Sequence, residues 1–151
     1  MLIPIILGSE KDKAFAEKIT AHLDAFDIPY KIHVASAHKV PELVLSLVEN
    51  YNKSSEAVCY ITIAGRSNGL SGVVAANAVH PVIACPPYKD HDDMMVNINS
   101  TLMMPSDTPV MTVIDPQNAA MAALRILGLT SSELNKKVVQ RIGEVKRGFL
   151  S

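Results

Sequence analysis

Ile3-Pro4-Ile5-Ile6-Leu7-Gly8-Ser9 is an apolar run that stops at a glycine and a hydroxyl. A strand with one wet face alternates polar and apolar residues. A run without a polar position reads as a strand buried on both faces, as in a parallel sheet covered by helices. The period then changes. Phe15, Ile19, His22 and Leu23 recur at helical spacing, with Lys13, Glu17 and Lys18 between them. Residues 24–29 break that helix, and residues 30–35 alternate as a second strand.

The same alternation of periods continues to the end of the chain. Ser36-Ala37-His38-Lys39 reads as a loop, and Pro41 suits the first turn of a helix whose start Glu42 favours through the helix dipole. Leu43, Leu45, Leu47 and Val48 carry that helix to about Tyr51. Residues 57–64 form a third strand running into Gly65-Arg66-Ser67-Asn68-Gly69, and residues 70–79 a small, apolar helix. Residues 81–85 form a fourth strand, closed by Pro86-Pro87. A polar stretch at 89–93 leads to a short helix near 94–102, then a loop at 105–108 and a fifth strand at 110–114. Residues 119–127 are apolar on nearly every face, as in a helix buried between layers or subunits. Thr130 with Glu133 matches a capping box and starts a last helix over about 131–149. Strand followed by helix, repeated, predicts an α/β chain. The expected architecture is one three-layer domain over residues 1–151, with a roughly five-stranded parallel sheet of flavodoxin or Rossmann type and a C-terminal helix.

Composition narrows the function. The chain has 151 residues, 48% of them hydrophobic and 19% charged, and a formal net charge of −1. That balance suits a globular chain with some outer surface buried, hence a homo-oligomer. It gives no electrostatic footprint for nucleic acid or an anionic membrane. Residues 1–7 lack the charged start and cleavage site of a signal peptide, and no apolar run reaches membrane-spanning length. Cys59 and Cys85 read as reduced thiols of a cytoplasmic protein. The histidines and cysteines share no metal-ligand spacing, so no metal is expected. The basic residues of the last helix, among them Lys136, Lys137 and Arg141, read as a solvated face.

In open α/β sheets, ligands bind beyond the carboxyl ends of the strands. Gly8-Ser9 before a helix can offer N–H groups and a hydroxyl to a phosphate, and Asp12 can accept from ribose hydroxyls. A tight turn with a helix cap explains the same residues. There is neither a GxGxxG nor a GxxxxGK[ST] pattern. His38 can carry a proton near neutral pH and Lys39 can anchor an anion, though a loop histidine is also an ordinary solvated residue. The loop at residues 65–69 can turn N–H groups toward an anion, or be a turn that ends in an Asn helix cap. Cys85 reads as structural, and His22 and His33 as packed within regular elements.

Taken together, the loops carry a resemblance. Gly8-Ser9 with Asp12, Ser36-Ala37-His38-Lys39, Ala64-Gly65-Arg66-Ser67-Asn68-Gly69-Leu70 and Cys85-Pro86-Pro87 resemble the aminoimidazole ribonucleotide carboxylase (PurE) family over about residues 3–129. One branch of that family is a mutase that moves a carboxyl group from the N5-carboxyamino isomer to C4. The other, class II, uses CO2 directly, and His38-Lys39, Arg66-Ser67-Asn68 and Cys85-Pro86-Pro87 resemble its pattern. The resemblance implies a cytoplasmic enzyme of purine biosynthesis that needs no cofactor, octameric, with sites built between subunits; with no neighbouring synthetase domain, the free-standing form is expected. It implies that Ser9 and Asp12, with Gly8, hold the ribose phosphate of the substrate. His38, in the turn of Ser36 and Ala37, would be the acid/base. Lys39 and the loop from Gly65 and Arg66 through Ser67, Asn68 and Gly69 would surround CO2 or the new carboxylate.

The chain departs from the class II pattern at Leu102-Met103-Met104-Pro105-Ser106-Asp107, where the branch tends to read Leu-Arg-x-Pro-Ser-Gly. Met103 replaces a cation, which makes Lys11 and Lys89 candidates for meeting the phosphate. The alternatives to CO2-dependent carboxylation are the mutase, a paralogue acting on another heteroaromatic nucleotide, and a non-catalytic nucleotide-binding module.

Overall fold

A computed structural model describes residues 1–150. Within them, five parallel strands stand in the order β2-β1-β3-β4-β5, the flavodoxin-like arrangement. They are β1 (Ile3–Leu7), β2 (Tyr30–Val34), β3 (Tyr60–Ile63), β4 (Val82–Ala84) and β5 (Met111–Thr112). The helices are α1 (Lys13–Asp24), α2 (Pro41–Asn52), α3 (Leu70–Asn77), α4 (His91–Leu102), α5 (Pro116–Gly128) and α6 (Ser132–Arg147). β1 is central: Ile5 pairs with Ile32 on one side and Ile61 on the other. The chain leaves β1 toward β2 and then crosses back to β3, so the order reverses between β1 and β3.

The pleat divides the core. Ile3, Ile5 and Leu7 face α1 and α5 through Ile19, Leu23, Ala120 and Leu124, while Ile6 faces α2 and α3 through Val44, Val48 and Val74. All five residues of β1 are buried, as its unbroken apolar run requires. α5 is covered by α6, whose Leu134 and Val138 close the outer edge of that layer. Ala119, Ala120, Ala123, Leu124 and Leu127 of α5 are therefore buried between layers of the chain itself.

Several boundaries differ from the sequence reading for local reasons. α4 begins at His91, within the stretch expected to precede it. The Asp90 carboxylate caps the helix by accepting from the Asp93 N–H at 2.9 Å, and Asp92 and Asp93 sit where the dipole favours acids. α5 begins at Pro116, where the Asp115 carboxylate accepts from the Asn118 N–H at 2.7 Å. The last helix is capped by Ser131, which accepts from Leu134 N–H, while Thr130 instead donates its hydroxyl to Leu127 O at 2.9 Å. β5 is two residues long, shorter than expected, although Val113 N–H still donates to Ala84 O. Lys137 is tied to the body of the protein, donating to Phe26 O and the Asp27 carboxylate at 3.1 and 3.0 Å.

Candidate active site

A cleft of about 730 Å³ opens at the carboxyl ends of β1 to β4, where the strand order reverses. Gly8, Ser9 and Asp12 line it after β1, and Ser36, Ala37, His38 and Lys39 after β2. Gly65, Arg66, Ser67 and Gly69 line it after β3. The residues singled out in the sequence thus meet, with one exception. Asn68 is 2% exposed and does not line the cleft; neither polar atom of its amide has a partner among the described residues.

Each loop has a local cause. At Ser9 the turn-and-cap reading of the Gly8-Ser9 pair is seen. Its hydroxyl caps a 3-10 turn by accepting from Lys11 N–H at 3.3 Å, and an accepting hydroxyl still has its own proton to donate. The Ser36 carbonyl accepts from the N–H groups of Lys39 and Val40, at 3.2 and 2.9 Å. That tight turn leaves His38 and Lys39 exposed in the cleft wall.

In the 65–69 loop three of the N–H groups are engaged within the protein. Asn68 N–H donates to Arg66 O and Gly69 N–H to Ser67 O, both at 2.9 Å, and Arg66 N–H donates to the Asn97 side chain. Gly69, not Asn68, stands at the helix cap. An anion at this loop would be met by the side chains of Arg66 and Ser67.

Charge in the cleft differs from charge in the chain. Lys11, Lys39, Arg66 and Lys89 face Asp12 and Asp93, a local cationic excess within a chain of net charge −1. Such a focus suits a phosphate ester or a carboxylate. Burial raises the Asp12 carboxyl above its ordinary range, opposed by the hydrogen bond with the Ser9 backbone. Cys85 lies beneath the cleft, fully buried, its thiol pushed up to about 12 by desolvation and by the Asp115 charge. Among the described residues no three His, Cys, Asp or Glu side chains gather as cation ligands would, and no helix is long and apolar enough to cross a membrane.

Pro87 and Tyr88, at the exit of the fourth strand, also line the wall; sequence reasoning missed Asp93 and Asn97, which complete it. α4 carried a usable signal. Its only buried residues are Asn97 and Thr101, while Met95, Val96 and Leu102 are exposed. A helix with a polar inner stripe is lining something other than a core. Met103 is 81% exposed and outside the cleft, whereas Lys11 and Lys89 both line it. Asp107, where the class II pattern has glycine, adopts a left-handed φ of 61°.

The family model described as AIR carboxylase matches residues 2–147. The phosphoribosylaminoimidazole carboxylase of Archaeoglobus fulgidus is 44% identical over 136 residues, 90% of this chain and 74% of that protein. The N5-carboxyaminoimidazole ribonucleotide mutase of Methanocaldococcus jannaschii is 40% identical over 148 residues, 97% of this chain and 91% of that protein. The crystal structure of Treponema denticola PurE superposes with a TM-score of 0.92 at 38% identity, covering 99% of this chain and 94% of that one.

Proposed function

The chain belongs to the AIR carboxylase family, and on that premise we propose that it carboxylates 5-aminoimidazole ribonucleotide at C4 with CO2, in purine biosynthesis. One observation carries the reading: Ser9, Asp12, His38, Lys39 and Arg66 converge on one cationic cleft. The substrate's exocyclic amine pushes electron density onto C4, so the ring is the nucleophile and CO2 the electrophile. A C–C bond forms as one C–O π bond of CO2 becomes a carboxylate, and the C4 proton leaves. The enzyme supplies position, donors for the growing negative charge, and a proton acceptor. His38 takes the C4 proton. Lys39, Arg66 and Ser67 face the new carboxylate, Asp12 accepts from ribose hydroxyls, and Ser9 and Lys11 face the phosphate.

The mutase reading has its own support, since the Methanocaldococcus jannaschii protein is similar over 97% of the chain. There the same cleft would hold the N5-carboxyamino isomer, release its carboxyl group and rejoin it at C4. An assay of purified protein without ATP, with bicarbonate and aminoimidazole ribonucleotide against the N5-carboxyamino isomer, decides between them. Faster turnover with CO2, lost in His38→Asn, is expected. A large preference for the isomer makes the enzyme a mutase, and no turnover with either substrate rejects both.

A cytoplasmic homo-oligomer, octameric by resemblance, is part of the same proposal. Its support is the unpartnered apolar side of α4, with Met95, Val96, Leu102 and Met103 exposed. A light-scattering mass equal to one chain would reject it.

A further inference from the structure

The walls of the cleft are loops, and one buried amide joins two of them. Asn97, on α4, is 3% exposed. Its Oδ1 accepts from the backbone N–H of Arg66 at 2.6 Å, and its Nδ2 donates to the backbone carbonyl of Pro87 at 2.8 Å. The orientation of the amide is fixed by its partners, because a backbone N–H can only donate and a carbonyl only accept. Asn97 thereby ties the loop after β3 to the loop after β4, across 31 and 10 residues of chain.

Two further observations converge on this contact. Arg66 has a φ of 57°, a left-handed conformation that a residue with a side chain keeps only where its surroundings hold it. The Asn97 bond is made to the N–H of that same residue. Gly65, next to it, is packed so closely that a β-carbon there would stand 3.3 Å from Nδ2 of Asn97 and 3.6 Å from Pro87 O. A backbone without a side chain at 65 is what lets the amide pass beneath the loop.

We propose that Asn97 is the positioning residue of the cleft: it holds Arg66 in its left-handed conformation and so sets where Arg66 and Ser67 meet the substrate's anionic groups. The part that concerns substrate rests on the function proposed above; the coupling of the two loops does not. The acceptor arm, Oδ1 to Arg66 N–H, carries the positioning, and the donor arm to Pro87 sets where the second loop lies.

The test uses the protein and the variants Asn97→Ala and Asn97→Leu, with hydrogen exchange beside kinetics. In Asn97→Ala, amide exchange over residues 64–70 and at Tyr88 and Lys89, just after the two prolines, rises roughly tenfold together, while β1 and β3 stay protected. Its kcat/KM falls up to about 100-fold, as expected from a misplacement of about 1 Å. Asn97→Leu keeps the volume of the side chain and loses both arms, so its two loops exchange as fast as those of Asn97→Ala and its kcat/KM falls alike. Recovery in Asn97→Leu is what a residue that merely fills space would give. Exchange that rises throughout the sheet, or in neither loop, or an Asn97→Leu enzyme that behaves as wild type, overturns the proposal. Should Asn97→Ala not fold, Asn97→Leu carries the same comparison with the wild-type protein. A wild-type protein inactive on both substrates would reject the proposed function and leave the exchange result to decide the coupling.

Discussion

A β-carbon on Gly69 would stand 3.2 Å from Nε2 of His38 and 3.4 Å from its Cε1. The imidazole therefore rests against a bare backbone, and the space it occupies depends on that glycine. The backbone at Gly69 has φ −78° and ψ −14°, which alanine adopts without strain. Gly69→Ala should therefore leave stability within about 1 kcal/mol, the chain-entropy gain offsetting the tight contact. The ring must move by a few tenths of an ångström, and kcat should fall by roughly tenfold. Chemical denaturation and steady-state kinetics on one preparation check the pair. A loss of stability without a loss of kcat would mean that the glycine serves packing alone.

Asp12 gives a pH-dependent signature. Its carboxyl is raised by burial, so the folded protein binds a proton there more tightly than the unfolded chain does. The stability linked to that proton is present below the ordinary carboxylate range and lost as pH rises through the folded-state value. At neutral pH the ionised group is a small burden, partly relieved by solvent. Asp12→Asn should raise the melting midpoint at pH 7 by no more than about 2 °C, with the gap closing toward pH 3. KM should rise at the same time if the carboxylate accepts from the ribose. A lower midpoint at pH 7 would show that the hydrogen bond with Ser9 outweighs the desolvation.

Much of this was legible in the sequence because it is local. Ile3 to Leu7 needs both faces covered, and the apolar stripes of α1 and α2 supply part of that cover. What the sequence hid depends on chain brought together from afar. Asn97 acts on Arg66 and Pro87, and no periodicity announces a partner 31 residues away. Asn68 looked like a cap or a ligand by residue type. Two successive tight hydrogen bonds in its loop leave it buried instead, at 2% exposure. Cap positions slipped by a residue where two hydroxyls compete: Thr130 closes α5 and Ser131 opens α6.

Both thiols are buried and pushed up to about 12, so neither is a nucleophile in the native protein. Iodoacetamide at pH 8 should label neither Cys59 nor Cys85 until denaturant is added, after which both react. Mass spectrometry of the two samples reads this directly. Native labelling of Cys85 would reveal an opening of the strand exit beneath the cleft.

Asp107 tests how a side chain is accommodated at a position with φ 61°. Aspartate tolerates this region better than most residues, and alanine does not. Asp107→Ala should destabilise by about 1 kcal/mol, and Asp107→Gly should be neutral or slightly stabilising. Urea midpoints of the three proteins check the order. Equal midpoints would mean that the loop can relax out of the left-handed region at no cost.

The phosphate of the proposed substrate needs a cation, and the chain has methionine where the class II pattern has arginine. Met103 is 81% exposed and does not line the cleft, whereas Lys11 and Lys89 do. A contact made to a non-reacting phosphate is the same in ground state and transition state, so its loss raises KM and spares kcat. Lys11→Ala and Lys89→Ala should each raise KM by roughly three- to tenfold at low salt, less at high salt, because both side chains are exposed and screened. Steady-state kinetics at two ionic strengths provide the check. If neither lysine moves KM while Met103→Arg lowers it, the phosphate is met from a neighbouring copy of the chain. In that case the cleft of one protomer is only half of the binding site.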